Sequence, residues 1–341
     1  MKKIETTKAV GHVLCHDMTQ IIKGVTKDAR FRKGHIVTEE DIPVLLSMGK
    51  DYLYVWEKQE GMLHENDAAE RLYGICKNEF MSRTPVKEGK IELSAEVDGV
   101  FCIDVERLEA INSIDEIIIA TRSSNLPVKK GDKLVGTRVI PLVIDEKKLE
   151  QAEKIANGNP IFSIKPYQNK KCGIVTTGNE VFYGRIKDTF SPVVQGKLEE
   201  YGAEVLGVTY CGDQPEAITA AIREFLEKGA DMVVCTGGMS VDPDDRTPAA
   251  IRAVGSDIIS YGAPVLPGAM FLLSYLDGRP IMGLPGCVMY ARRTIFDLVL
   301  PRVMADIPVT KQDLARMGNG GLCLNCETCH FPNCGFGKGG F

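Results

Sequence analysis

The chain has no apolar run approaching the ~18 residues of a membrane span. Its opening residues, Met1-Lys2-Lys3-Ile4-Glu5-Thr6-Thr7, lead into none of signal-peptide length. A cytoplasmic location without a membrane partner is therefore the expectation. Excess basic charge is missing as well: 41 Lys and Arg stand against 46 Asp and Glu, a formal net charge of −5. That balance argues against a nucleic acid or an anionic membrane surface as the main partner. It leaves room for a small basic site that takes an anionic ligand. The glycine-bearing loops at residues 176–180 and 236–247 carry neither a Walker A nor a dinucleotide-binding pattern. Compositional bias is absent too. With 44% hydrophobic and 26% charged residues, the 341-residue chain reads as a globular protein of two or three domains. Collagen-like, mucin-like and disordered classes drop out.

Cysteine is present in number. Seven of the 11 cysteines (Cys15, Cys76, Cys102, Cys172, Cys211, Cys235 and Cys287) are scattered singly, mostly inside apolar segments. Buried free thiols in a reducing compartment are the plain reading of that pattern. The other four, Cys323, Cys326, Cys329 and Cys334, crowd the C-terminus in a C-x2-C-x2-C-x4-C run.

Four regions are expected along the chain. Residues 1–57 read as a small α+β unit, with Thr38 as N-cap of a helix that stops at Gly49 and a strand over 52–55. Residues 58–165 read as a mixed, β-rich domain. Its helix falls at 67–80, its strands at 90–95, 100–104, 116–120 and 133–140, and a connecting helix at 146–156. A polar linker over 165–171 follows. Residues 171–305 alternate short apolar runs (172–176, 204–208, 232–236) with amphipathic helices (193–201, 215–228). In the second helix Ile218, Ala221, Ile222, Phe225 and Leu226 share one face. This is the pattern of an α/β fold, a parallel sheet flanked by helices, with its ligand at the carboxyl ends of the strands. Residues 306–341 hold seven glycines and four cysteines and too few apolar residues for a core. They read as a tail held by a metal.

Two loops carry the chemistry. Thr176-Thr177-Gly178-Asn179-Glu180 follows the first strand of the third region, and Thr236-Gly237-Gly238-Met239-Ser240-Val241-Asp242-Pro243-Asp244-Asp245 the third. Glycine at a strand-to-loop turn lets backbone N–H groups approach an anion, and hydroxyls support it. Asp242, Asp244 and Asp245 repel one another unless a cation such as Mg²⁺, bridging to a phosphate, or a hydrogen-bond network neutralises them. Alternatively they cap a helix that begins near Thr247.

Those two loops, together with Gly202-Ala203-Glu204-Val205, Asp213-Gln214-Pro215 and Gly283-Leu284-Pro285-Gly286, resemble one family. It is the molybdopterin-binding domain shared by molybdopterin adenylyltransferases and molybdopterin molybdenumtransferases, and the resemblance covers roughly 171–305. It implies a pterin site built from Thr176, Thr177, Gly178, Asn179, Glu180, Gly237, Gly238, Ser240, Asp242, Pro285 and Gly286. It further implies that Asp245 and Asp213 act as catalytic carboxylates. Asp132 in Lys130-Gly131-Asp132 and Asp67 in His64-Glu65-Asn66-Asp67 are the matching acidic positions in the flanking regions. Mg²⁺, adenylylated molybdopterin and molybdate are the implied cofactor and substrates. The implied activity is transferase-like insertion of molybdate with release of AMP. Self-association of such relatives makes a homo-oligomer the expectation.

Missing lysines and the cysteine tail favour a different role, that of a carrier or chaperone serving one client molybdoenzyme. The segment where transferases place lysines for molybdate reads Gly262-Ala263-Pro264-Val265-Leu266-Pro267-Gly268-Ala269-Met270, without a basic residue. Asn179 stands where an aspartate is common, and Cys287 follows Gly286 in place of asparagine. A third reading, a metal- or redox-sensing regulator, rests on the tail. There the four-cysteine spacing suits tetrahedral Zn²⁺ or an iron–sulfur cluster, and His330 is a possible substitute ligand.

Overall fold

A computed structural model describes residues 2–22, 26–55, 60–240 and 246–339. Asp242, Asp244 and Asp245 lie outside these. The chain forms two compact units. The first comprises residues 1–94, 104–122 and 133–162, and the second 95–103, 123–132 and 163–341. Region 58–165 is thus not one body: its residues are shared between the two units.

In the first unit, residues 2–5 pair antiparallel with the strand Tyr52–Val55, beside a helix at Asp41–Ser47. Thr38 is not its N-cap. Its N–H and hydroxyl both donate to the Asp41 carboxylate, at 2.9 and 2.8 Å, and the helix opens after Glu40 with no side-chain cap. Gly49, at φ +72°, ends the helix as expected. The helix expected at 67–80 runs over Glu65–Cys76, and the connecting helix spans Glu146–Ala156 with Asn157 as a left-handed C-cap. A four-stranded antiparallel sheet includes Lys90–Ala95, Lys133–Val139 and, at one edge, Ile117–Thr121. Along that edge Ile117 and Ile119 are buried while Ile118 faces solvent, the period-2 pattern of a half-buried strand.

Two histidines, His64 buried and His16 half-buried, should make this unit acid-sensitive. His64 donates from Nε2 to the Cys15 carbonyl and accepts at Nδ1 from Lys33 Nζ at 2.9 Å, and His16 Nδ1 is buried with no hydrogen-bond partner. Burial lowers both below the ordinary value near 6.5. The unfolded chain therefore binds more protons below pH ~6.5, and stability present above that pH is lost as pH falls toward the depressed native values. Urea midpoints followed by circular dichroism should fall between pH 7.5 and 5.5, before carboxylates titrate. A flat profile over that window would remove the histidines as its cause.

The second unit is built on a six-stranded sheet. Its strands are β1 (Lys171–Thr177), β2 (Glu204–Cys211), β3 (Met232–Thr236), β4 (Asp257–Tyr261), β5 (Leu272–Leu276) and β6 (Arg279–Leu284). They lie in the order β2-β1-β3-β6-β5-β4. The first four in that order run parallel. β5 and β4 add an antiparallel edge that the sequence pattern does not reveal. Helices α1 (Phe190–Glu199), α2 (Pro215–Glu227), α3 (Thr247–Ala253), α4 (Ile295–Met304) and α5 (Lys311–Arg316) complete the layers. The apolar face of α2 is buried as read. α2 crosses β1 at Gly173, where a Cβ would stand 2.2 Å from the Phe225 ring. The stretch read as a linker begins later than expected, because Phe162–Pro166 is a strand. It joins Gly99–Ile103 and Leu126–Val128 in a small sheet.

The C-terminal tail is not a free appendage. Phe336 is 4% exposed and joins Met317, Val265 and Leu298 in the core, with Cys323, Phe331 and Cys334 packed against it. The stretch forms no core of its own; Val309, Leu314, Met317 and Phe336 are buried in the core of the second unit instead. At Gly337 a Cβ would meet Leu298 at 2.5 Å.

Candidate functional site

All four parallel strands end at one edge, and that edge gathers the predicted loops. Gly178, Asn179 and Glu180 follow β1, Asp213 follows β2, Gly237, Gly238 and Ser240 follow β3, and Pro285 and Gly286 follow β6. This is the carboxyl end where an open α/β sheet places its ligand.

Hydroxyls bind the two glycine loops together. Thr176 Oγ1 lies 2.7 Å from Ser191 Oγ and 3.1 Å from Thr236 Oγ1. Thr177 Oγ1 donates to the Thr236 carbonyl at 3.1 Å, and Thr247 Oγ1 donates to the Gly237 carbonyl at 2.8 Å. The oxygens of Thr177 and Thr247 are 3.1 Å apart. Thr176, Thr177, Ser191, Thr236 and Thr247 are all buried, so this network is held at low dielectric and fixes the loops to each other. Thr247 and Ser191 carry no motif of their own. Their hydroxyls could have been found from sequence only as polar residues opening the segments of α3 and α1.

Glycine is required where the loops touch. Gly237 has φ +83°, and a Cβ there would lie 2.2 Å from the Thr177 carbonyl oxygen. Gly238 has φ +57° and would press a Cβ to 2.7 Å from Thr247 Oγ1. Gly178, at φ +132°, opens the single helical turn Asn179–Phe182. Asn179 and Asp213 join the first two loops reciprocally. The Asn179 N–H donates to Asp213 Oδ2 at 3.3 Å, and the Asp213 N–H donates to Asn179 Oδ1 at 3.4 Å. Both bonds run from a backbone N–H to a side-chain oxygen, so they tie the loops without using the amide nitrogen of Asn179. Tyr261 Oη reaches the Met239 and Ser240 carbonyls at 3.2 and 3.3 Å, another tie that sequence reading missed.

At the start of α1, Asp188 Oδ1 accepts the Phe190 and Ser191 N–H groups, and Oδ2 faces Tyr210 Oη. Burial works against its charge, yet the Ser191 contacts hold its carboxyl below the usual range. Glu180 and Ser240 are exposed at the rim, and Asp213 is half-buried there.

The other two acidic positions belong to other segments of the chain. Asp132 lies in a turn of the second unit, where it accepts the Lys129 N–H at 3.0 Å. Asp67 is in the first turn of the helix Glu65–Cys76 of the first unit. Among the described residues no three His, Cys, Asp or Glu side chains are grouped so as to hold a metal ion. That holds for Cys323, Cys326, Cys329 and Cys334 as a single-ion site. The five buried single cysteines are free thiols pushed up by burial, Cys76 to about 12, which disfavours the nucleophilic thiolate.

The segment that lacks lysines has a different task. Leu266 bridges Leu322 in parallel, its N–H donating to the Gly321 carbonyl at 2.9 Å and its carbonyl accepting the Cys323 N–H at 2.8 Å. Val265 is fully buried, and Gly318 and Gly321 close against Pro264. Residues 262–270 therefore seat the C-terminal tail, and an apolar composition suits that seat.

Comparison with known proteins bears on two stretches. Residues 3–57 match a domain of unknown function, DUF8806, and residues 173–305 match the family described as a probable molybdopterin binding domain. A CinA-like protein of Mycobacterium sp. (strain MCS) is 39% identical over 90 residues, which are 26% of this chain and 21% of that protein. A CinA-like protein of Mycobacterium avium (strain 104) is 37% identical over 90 residues. The chain spans 21% of the length of these curated relatives. Among solved structures, the molybdopterin biosynthesis enzyme MoaB from Thermus thermophilus covers 41% of this chain and 98% of its own. Its identity is 22% and its TM-score 0.34. CinA from Thermoplasma acidophilum, a protein of unknown function, covers 40% of this chain and 98% of its own at 20% identity and TM-score 0.35. The stretch that matches the model of the probable molybdopterin binding domain, residues 173–305, is the one that carries the gathered loops.

Proposed function

We propose that the chain works in molybdenum-cofactor biosynthesis, binding adenylylated molybdopterin across the loops at residues 177–180 and 237–245 and promoting molybdate insertion with release of AMP. The observation that supports this reading most is the hydroxyl-locked pair of glycine loops at the carboxyl edge of β1 and β3, inside a molybdopterin-binding domain. Such loops present backbone N–H groups to phosphate oxygens without a side chain in the way.

Mg²⁺ usually binds through one or two carboxylates completed by substrate phosphates and water. A rim carrying half-buried Asp213 is compatible with one carboxylate of that donor set; Asp245, outside the described residues, is assigned the second on its place in the loop sequence alone. Bound there, Mg²⁺ would neutralise charge developing on the pyrophosphate as AMP leaves. The protein's own part is to hold the two loops at fixed separation and to keep Asp213 oriented through Asn179. Replacing Asp213 by alanine should lower molybdate-dependent AMP release about a hundredfold, the scale of losing a group that orients a metal site, with the fold intact.

The apolar 262–270 segment favours a second reading, a carrier that holds the pterin without acting on it. One assay separates the two: anaerobic incubation with adenylylated molybdopterin, Mg²⁺ and molybdate, with Asp213→Ala and Asp245→Ala beside the parent chain. Molybdate-dependent AMP release lost in both variants supports insertion. Tight pterin binding without AMP release would replace it by the carrier. Absence of pterin binding would overturn both.

A further inference from the structure

The tail cysteines are left unused by a pterin site on the carboxyl edge of the sheet. All four line one cavity of about 600 Å³ in the second unit, together with His330, Arg292 and Arg293. Its walls are Tyr290, Phe331 and Phe336. Cys323 and Cys334 are half-buried against the core, and Cys326 and Cys329 are exposed.

The tail does not lie there loosely. The Cys323 N–H is bonded to the Leu266 carbonyl at 2.8 Å. Arg292 Nη1 donates to the Cys326 carbonyl at 3.4 Å and to the Glu327 carbonyl. The Arg293 guanidinium stands 5.0 Å over the Phe331 ring, kept protonated, despite its burial, by Glu200 and Asp297. Each anchor holds a different part of the loop against the same cavity.

We propose that this cavity binds an iron–sulfur cluster through Cys323, Cys326, Cys329 and Cys334. All four thiols line the same cavity, and two features favour a cluster over one zinc ion. The C-x2-C-x2-C run shares its middle cysteine between two spacings. A zinc site takes two separate cysteine pairs with a longer insert, whereas overlapping C-x2-C steps are how clusters are held. Finally, a four-thiolate cluster carries net negative charge and is tuned by nearby cations and by exclusion of water. Two arginines and three aromatic rings border this cavity.

The test is metal analysis of the full chain, purified without oxygen and, in parallel, reconstituted with ferrous iron, sulfide and a thiol reductant. Iron and acid-labile sulfide in equal amounts, with the visible charge-transfer absorption of a cluster, are expected. Cys326→Ser and Cys329→Ser should each abolish that absorption while the apo-proteins melt at the parent's temperature, since both thiols are exposed. Stoichiometric zinc without sulfide would overturn the proposal. So would the absence of both metals after reconstitution, or a cluster that survives both substitutions. The readout does not depend on pterin binding, so its failure leaves the proposed function standing.

Discussion

Replacing Asp297 by alanine is expected to destabilise the second unit by about 3–5 kcal/mol, the usual result of removing one partner from a buried ion pair. The Asp297 side chain is 1% exposed, and Lys197 Nζ and Arg293 Nη1 reach its Oδ1 at 2.7 and 2.9 Å. Its other oxygen accepts the Thr294 N–H at 2.7 Å and completes a capping box at the start of α4. Alanine would leave two cations facing an empty, water-poor site and remove a cap besides. Arg293 retains Glu200, at 2.9 Å, so Lys197 bears most of the loss. Urea denaturation should show it directly. Pairing the change with Lys197→Met should recover part of the loss, because an unpaired buried charge costs more than none. A single-variant loss below about 1 kcal/mol would mean that the triad behaves as a surface pair.

Gly237→Ala should be the most damaging conservative change at the site. Two costs combine there. A φ of +83° disfavours any Cβ, and this Cβ would fall 2.2 Å from the Thr177 carbonyl oxygen. Backbone cannot yield as a flexible side chain does, so a loss of about 3 kcal/mol is expected, the sum of local strain and a forced separation of the loops. Pterin affinity should fall with it, since the loops would no longer keep their spacing. Gly255→Ala is the control. Gly255 has φ +91° but open space around it, so it should show only the backbone cost, about 1 kcal/mol. Equal losses at the two positions would show that the contact with Thr177 contributes nothing.

Much of the second unit was legible because its elements satisfy their needs locally. The strand over Met232–Thr236 and the helix opened by Pro215 fall where apolar runs and helical spacing put them. The loops could be read for a related reason: glycine at a strand end has few explanations other than a tight approach or a bound anion. The misreadings share the opposite character. Thr38 resembles an N-cap, yet a carboxylate three residues on captures its hydroxyl. The tail resembles an unsupported segment, yet Phe331 and Phe336 find a seat supplied by residues 262–270 and by α4.

The sequence by itself determined the α/β character of residues 171–305, the apolar face of α2 and the two glycine loops. Each of these depends on neighbours a few residues away. Only the tertiary structure decided that β5 and β4 run antiparallel at the sheet edge, because pairing direction is settled by distant strands. It also decided that Thr247 and Ser191 bind the two loops together, and that the lysine-free segment serves as the seat of the tail. Those are contacts between residues far apart along the chain, and no local pattern records which distant partner a buried hydroxyl or an apolar loop will meet.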